Sequence, residues 1–178
     1  MTAEREQPNS ILTLAEISQL AKEVTLEGGQ CAPTLIVNGS EVVLMLNLLD
    51  IPDTHEGRAR MMFSAGRDVA RQSGIGNLRQ VYFISEAWMS VAEKGKTLDR
   101  PPSQDPNRIE ALVISGFNLE STEVDLAVFE MVRDSEGTLT ELKDFQPETD
   151  EGEHAESPLL WAFAQGFKAG SKLHTDDA

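Results

Sequence analysis

RQVYFISEAWMS (79–90), VAEKGKTLDRPPSQDPN (91–107) and RIEALVISGF (108–117) follow one another in the middle of the chain. The first and third are rich in β-branched and aromatic residues and alternate in polarity, the mark of strands. No helical pattern separates them, so they are expected to pair antiparallel. The connection is far longer than the ~2–5 residues of an ordinary hairpin loop, and such loops commonly carry function. Pro101, Pro102 and Pro106 stiffen it.

The rest of the chain organises around this pair. Thr13 and Glu16 form a capping-box pattern. Leu14, Ile17, Leu20, Ala21 and Val24 then make one apolar stripe at helical spacing, which Gly28-Gly29 ends. Thr34–Val37 and Glu41–Leu46 read as strands around Asn38-Gly39, the strongest short hairpin signal. The nearly continuous apolar run VVLMLNLL suggests burial on both faces, or a central strand. A second helix follows Pro52, with Asp53 as the cap and Glu56 at capping-box spacing. It buries Ala59, Met62, Phe63, Gly66, Val69 and Ala70, with Arg60, Arg67 and Arg71 on the other side. Strands are expected near 79–90, 108–118, 122–133 and 138–145, the last pair joined by Ser135-Glu136-Gly137. Ser157 and Pro158 then open a third helix, with the stripe Leu160, Phe163, Ala164 and Phe167 and with Trp161 beside it.

These elements give an α+β fold: a mainly antiparallel sheet of five to six strands, helices packed on one face, in the order α-β-β-α-β-β-β-β-α. The expected divisions are a disordered N-terminus at 1–10 and a single α+β domain at 11–145. An acidic linker at 146–156, an amphipathic helix at 157–170 and a frayed tail at 171–178 complete the chain. The element order resembles that of profilin-like and roadblock-like scaffolds, which run helix, two strands, helix, three strands, helix. The resemblance implies architecture only, because such folds host many functions.

The 178 residues carry a net charge of −15, unevenly placed. Residues 58–108 hold nine bases against five acids, whereas 109–156 hold fourteen acids against two bases. A chain this acidic is repelled by phosphate backbones, so nucleic acid is an unlikely partner. The basic middle is suited to an anion, an acidic partner or the protein's own acids. No apolar run approaches the ~20 residues of a membrane span. The polar start MTAEREQPNS has no signal core, and Cys31 is the single cysteine. A cytoplasmic location is expected from both.

Candidate site residues cluster around the long loop. Alternation places Glu86 on one strand face with Tyr82, Ile84 and Trp88. A carboxylate among apolar groups resists ionisation unless a cation or donors compensate, and such groups are enriched at functional sites. Arg108 is the expected partner, either in a site or in a structural ion pair. Ser103, Asp105, Asn107 and Arg108 form a polar cluster suited to a ligand or a partner, and equally to turn chemistry. Cys31 would need a histidine to act as a nucleophile. His55 is the nearest candidate in sequence, since His154 and His174 fall in the acidic linker and the tail. Asp53, His55 and Glu56 also cap a helix, and no zinc-like spacing occurs. No phosphate-loop or dinucleotide fingerprint is present, so neither metal nor cofactor is expected.

The first functional expectation is a non-catalytic module acting through protein contacts, with itself as a homodimer or with another protein. Leu160, Trp161, Phe163 and Phe167 would supply a partner helix if they did not dock on their own sheet. The alternative is a small enzyme or ligand-binding domain with a site around Glu86, Trp88 and the 92–108 loop, with Arg60, Arg67 and Arg71 as further binding residues. A third reading is an acidic mimic of nucleic acid, from the acids at 120–156.

Overall fold

The computed structural model describes residues 11–72, 74–92, 96–146 and 156–175. The expected disordered N-terminus and most of the acidic linker lie outside the described residues. Among the described residues, three α-helices and six strands occur in the expected order: α1 (Leu14–Gly28), β1 (Thr34–Gly39), β2 (Val43–Asn47), α2 (His55–Arg71), β3 (Leu78–Met89), β4 (Ile109–Asn118), β5 (Val124–Arg133), β6 (Leu139–Phe145) and α3 (Pro158–Thr175). The strands form one antiparallel sheet in the order β2-β1-β3-β4-β5-β6.

The helices do not share one face. α2 and α3 pack over Leu35, Val37, Val81 and Phe117. α1 lies alone on the opposite side, over Ile36, Tyr82, Ile84, Leu112 and Ile114. The reason is visible in β1, which is buried along its whole length, so its apolar side chains need cover on both faces.

β1 also revises two readings of the first hairpin. Asn38-Gly39 is not its turn. Asn38 is fully buried within β1, and its side-chain amide donates to the Leu12 carbonyl at 3.0 Å. Gly39 lies so close to the Ile75 carbonyl that a Cβ there would overlap it. The dipeptide serves packing, and the chain turns at residues 40–42, where the Gly39 amide donates to the Val42 carbonyl. The apolar run that follows is not a central strand either. β2 is an edge strand, with Leu44 and Leu46 turned to the core and Val43 and Met45 exposed.

Capping follows local chemistry. Thr13 and Glu16 make a complete capping box on α1. α2 is capped by Thr54, whose hydroxyl accepts the Gly57 amide at 3.1 Å, and not by Asp53. Threonine there leaves Glu56 free to pair with Arg60 one turn on.

α2 and α3 meet backbone to backbone. A Cβ on Gly66 would overlap the Phe163 carbonyl, one on Gly166 would overlap the Phe63 carbonyl, and one on Gly170 would stand 2.5 Å from the Arg67 carbonyl. Phe63 opposes Gly166 and Arg67 opposes Gly170, so the helices run in the same direction. Gly170 therefore does not end α3, and residues 171–175, expected to fray, continue the helix. The close approach buries Leu160, Phe163 and Phe167 in the core of their own chain, leaving Trp161 half exposed against Phe117. Three of the four residues offered as a partner helix are thereby used internally.

Alanine at Gly66 or Gly166 has no room, and overpacking of this kind costs ~1–3 kcal/mol. Urea unfolding of Gly66→Ala should show that loss. Gly28→Ala, where a Cβ meets nothing within 4 Å, should be neutral or gain up to ~1 kcal/mol. Equal stabilities for the two variants would contradict the close contact.

Candidate functional site

The polar residues singled out in the sequence meet at one end of the sheet, on the α1 face. β3 carries Glu86 and Trp88 past the apolar Tyr82 and Ile84, and the register sets Trp88 opposite Glu110 of β4. Each of these side chains has a structural partner.

Glu86 does not pair with Arg108. Its carboxylate accepts the Cys31 amide at 2.5 Å, pinning the connection between α1 and β1 to the sheet. The strongest ion pair is one the sequence reading missed. Arg133 of β5 grips Glu110 with two bonds, at 2.7 and 2.8 Å. Its other terminal nitrogen donates to the Gly29 carbonyl at 3.1 Å and to the Gly137 carbonyl at 3.2 Å. One guanidinium thus ties β4, β5, the β5–β6 hairpin and the end of α1 together. Glu110 is held below the usual glutamate range chiefly by the Arg133 bonds. Arg133 is raised chiefly by the same contact. A sequence signal existed: Arg133 is one of two bases among residues 109–156.

The long loop is anchored by turn chemistry. Pro102–Gln104 form a 3-10 turn. The Asp105 carboxylate accepts the Asn107 amide at 2.8 Å, and the Arg108 guanidinium donates to the Ser103 carbonyl at 2.7 Å. Arg108 also stacks on the Trp88 ring, 4.3 Å from its centre. Cation–π contact at an exposed site is worth ~0.5–1 kcal/mol. Asp105 is kept below the usual aspartate range first by the neighbouring Ser90 hydroxyl, then by the Asn107 amide. Ser103, Asp105, Asn107, Arg108 and Trp88 are therefore brought together, as expected, and their mutual contacts fold the loop back onto β3.

The other candidates do not join them. Burial pushes the Cys31 thiol up, and Glu86 adds to the rise, the opposite of what a nucleophile needs. His55 opens α2, exposed, and no described bond links it to Cys31. Arg60 pairs with Glu56 and Arg67 lies beside Asp68, both on α2, while Arg71 sits exposed in the last turn. Among the described residues no group of three His, Cys, Asp or Glu side chains is placed to hold a metal. No described helix is long and apolar enough to cross a membrane.

Comparison with family models, with curated proteins and with solved structures finds no significant match.

The Arg133 clasp carries a pH signature. Glu110 titrates lower in the folded chain than in the unfolded one. Its contribution is therefore full above the unfolded value and is lost as pH falls through the folded value. Arg133→Ala removes that contribution and leaves Glu110 and two carbonyls without a donor, a loss of ~1–3 kcal/mol at neutral pH. Urea unfolding from neutral pH down through the carboxylate range should show the variant's deficit shrinking with acid. A deficit that does not change with pH would mean the ion pair is inert.

Proposed function

We propose that this chain is a non-catalytic contact module that works as a homodimer, joined through the β2 edge. The observation that carries this reading is the contrast between the sheet's two edges. β6 alternates buried Leu139 and Leu142 with exposed Thr140, Glu141, Lys143 and Asp144. Charged side chains of this kind guard an edge against pairing. β2, VLMLN, has no charge, no proline and no bulge in its pairing with β1, and Val42 before it and Leu48 and Leu49 after it are also uncharged.

The α1 face of the sheet also exposes apolar side chains. Lys22, on one flank of that helix, reaches Asp144 and the Phe129 ring on the β5–β6 side. Leu20 and Val24 lie on the other flank, toward β1 and β2, and are 44% and 55% exposed. Met45 is 59% exposed on the same face of the sheet. Two of the five residues expected to bury α1 are thus left in water. Exposed apolar side chains gathered on one face are suited to an interaction site.

A second copy is the partner that fits. Two molecules of net charge −15 repel each other, and least where both are uncharged. β2 is such a place, and antiparallel strands pair about a twofold axis with the same residues on both sides. Glu41 and Asp50 stand at its two ends, so in that arrangement Glu41 of each copy approaches Asp50 of the other. The dimer should therefore tighten with salt, as screening relieves the repulsion.

Sedimentation velocity tests this. The wild-type chain should be a dimer at tens of micromolar, more so at higher salt. Met45→Lys should be a monomer with stability within ~0.5 kcal/mol of wild type, the range of ordinary surface changes. Thr140→Lys, on the guarded edge, should remain a dimer. A wild-type chain that stays monomeric throughout this range overturns the reading.

A further inference from the structure

The parallel contact between α2 and α3 has a consequence at its open end. Because the helices run in the same direction, their N-terminal turns lie side by side above β3. A cavity of about 190 Å³ sits beneath them. Its walls include Met61 and Met62 of α2, Phe83 of β3 and Leu159 of α3, and its polar groups include Arg58 and Ser85. We propose that this cavity binds a small apolar monocarboxylate, with Arg58 holding the carboxylate and the methionines enclosing the hydrocarbon.

The volume sets the ligand's size. It exceeds the ~150 Å³ of a cavity that takes up benzene and falls short of the ~300 Å³ at which drug-sized sites begin. One ring or a short aliphatic chain fits. Methionine walls adapt to either shape.

Charge sets its sign. Arg58 is in the first turn of α2, and its Nε donates to the Pro52 carbonyl at 2.8 Å. That bond fixes the plane of the guanidinium and spends one of its five donors. A planar, oriented guanidinium matches a carboxylate. The N-terminal turns of two parallel helices add partial positive charge on the same side. Glu86 also borders the cavity, but its carboxylate belongs to the opposite face, where it accepts the Cys31 amide. Ser85 faces the cavity as the strand alternates, and its hydroxyl is placed to donate. The inference goes beyond the contact-module reading and does not require the dimer.

The test follows the methionine methyl signals of the full chain by NMR during titration with benzoate and hexanoate, and with benzyl alcohol and hexanol as uncharged counterparts. Met61→Leu and Met62→Leu assign the signals. The proposal expects saturable shifts at Met61 and Met62 with the acids, and binding of the alcohols weaker by about tenfold or more, the worth of one charge-assisted hydrogen bond. Arg58→Gln should bring the acids down to the level of the alcohols, and Arg58→Lys should retain part of the difference. Met61→Trp, which fills the cavity, should abolish binding of all four. The acid-to-alcohol comparison uses the wild-type chain, so it stands even if a variant fails to fold. No saturable shift with either acid, equal binding of acids and alcohols, or undiminished binding in a folded Arg58→Gln or Met61→Trp chain would each overturn the proposal.

Discussion

The contact between α2 and α3 at Gly66, Gly166 and Gly170 is the constraint on which the rest of the molecule depends. Without side chains at those positions the two backbones touch, and the helices act as one slab over β1, β3 and Phe117. The slab buries Leu160, Phe163 and Phe167 completely or nearly so, and it takes two of the three helices to one face. One helix is left for the other face of a six-stranded sheet. α1 is drawn to the β5–β6 side by Lys22 and its contacts with Asp144 and Phe129. The side of that face nearest β2 is then short of cover. The exposed flank of α1 lies on this less covered face, and among the described strands β2 is an edge.

The polar end of the sheet holds the turn leaving α1 in place. The turn leaving α1 must be held against strands whose own side chains there are polar. Glu86 takes the Cys31 amide and Arg133 takes the Gly29 carbonyl, so one donor and one acceptor of that turn are each given a charged partner. Charge-assisted bonds are the strong ones, and these are spread over β3, β4 and β5. A carboxylate committed to a backbone amide is poorly placed to move protons. The Trp88–Arg108 stack does for the long loop what Glu86 and Arg133 do for the α1 turn.

What could be read from the chain was local. The Thr13 capping box, the Ser135–Gly137 turn and the four later strands follow from short-range rules, and the element order follows from them. The errors arose where a residue type answers to a distant neighbour. Asn38-Gly39 looks like a turn until Leu12 and Ile75 are brought against it. Gly170 looks like a helix stop until the Arg67 carbonyl is seen beside it. VVLMLNLL looks central because apolar runs usually are, and nothing in it states that no strand pairs with its outer side. Glu110 and Arg133 are 23 residues apart, and only the register of β4 against β5 makes them partners. The candidate loop residues were found because their bonds are short in sequence. The residues that carry the functional proposals, Met45 and Arg58, were not, because exposure at an edge and position in a cavity are tertiary facts.

Amide hydrogen exchange along the two edge strands, at dilute and at concentrated protein, tests the central claim most directly. The account predicts that protection of β2 amides rises with concentration while β6 amides exchange at an unchanged rate. Exchange that is independent of concentration along both edges, or protection that appears on β6 instead, would contradict it.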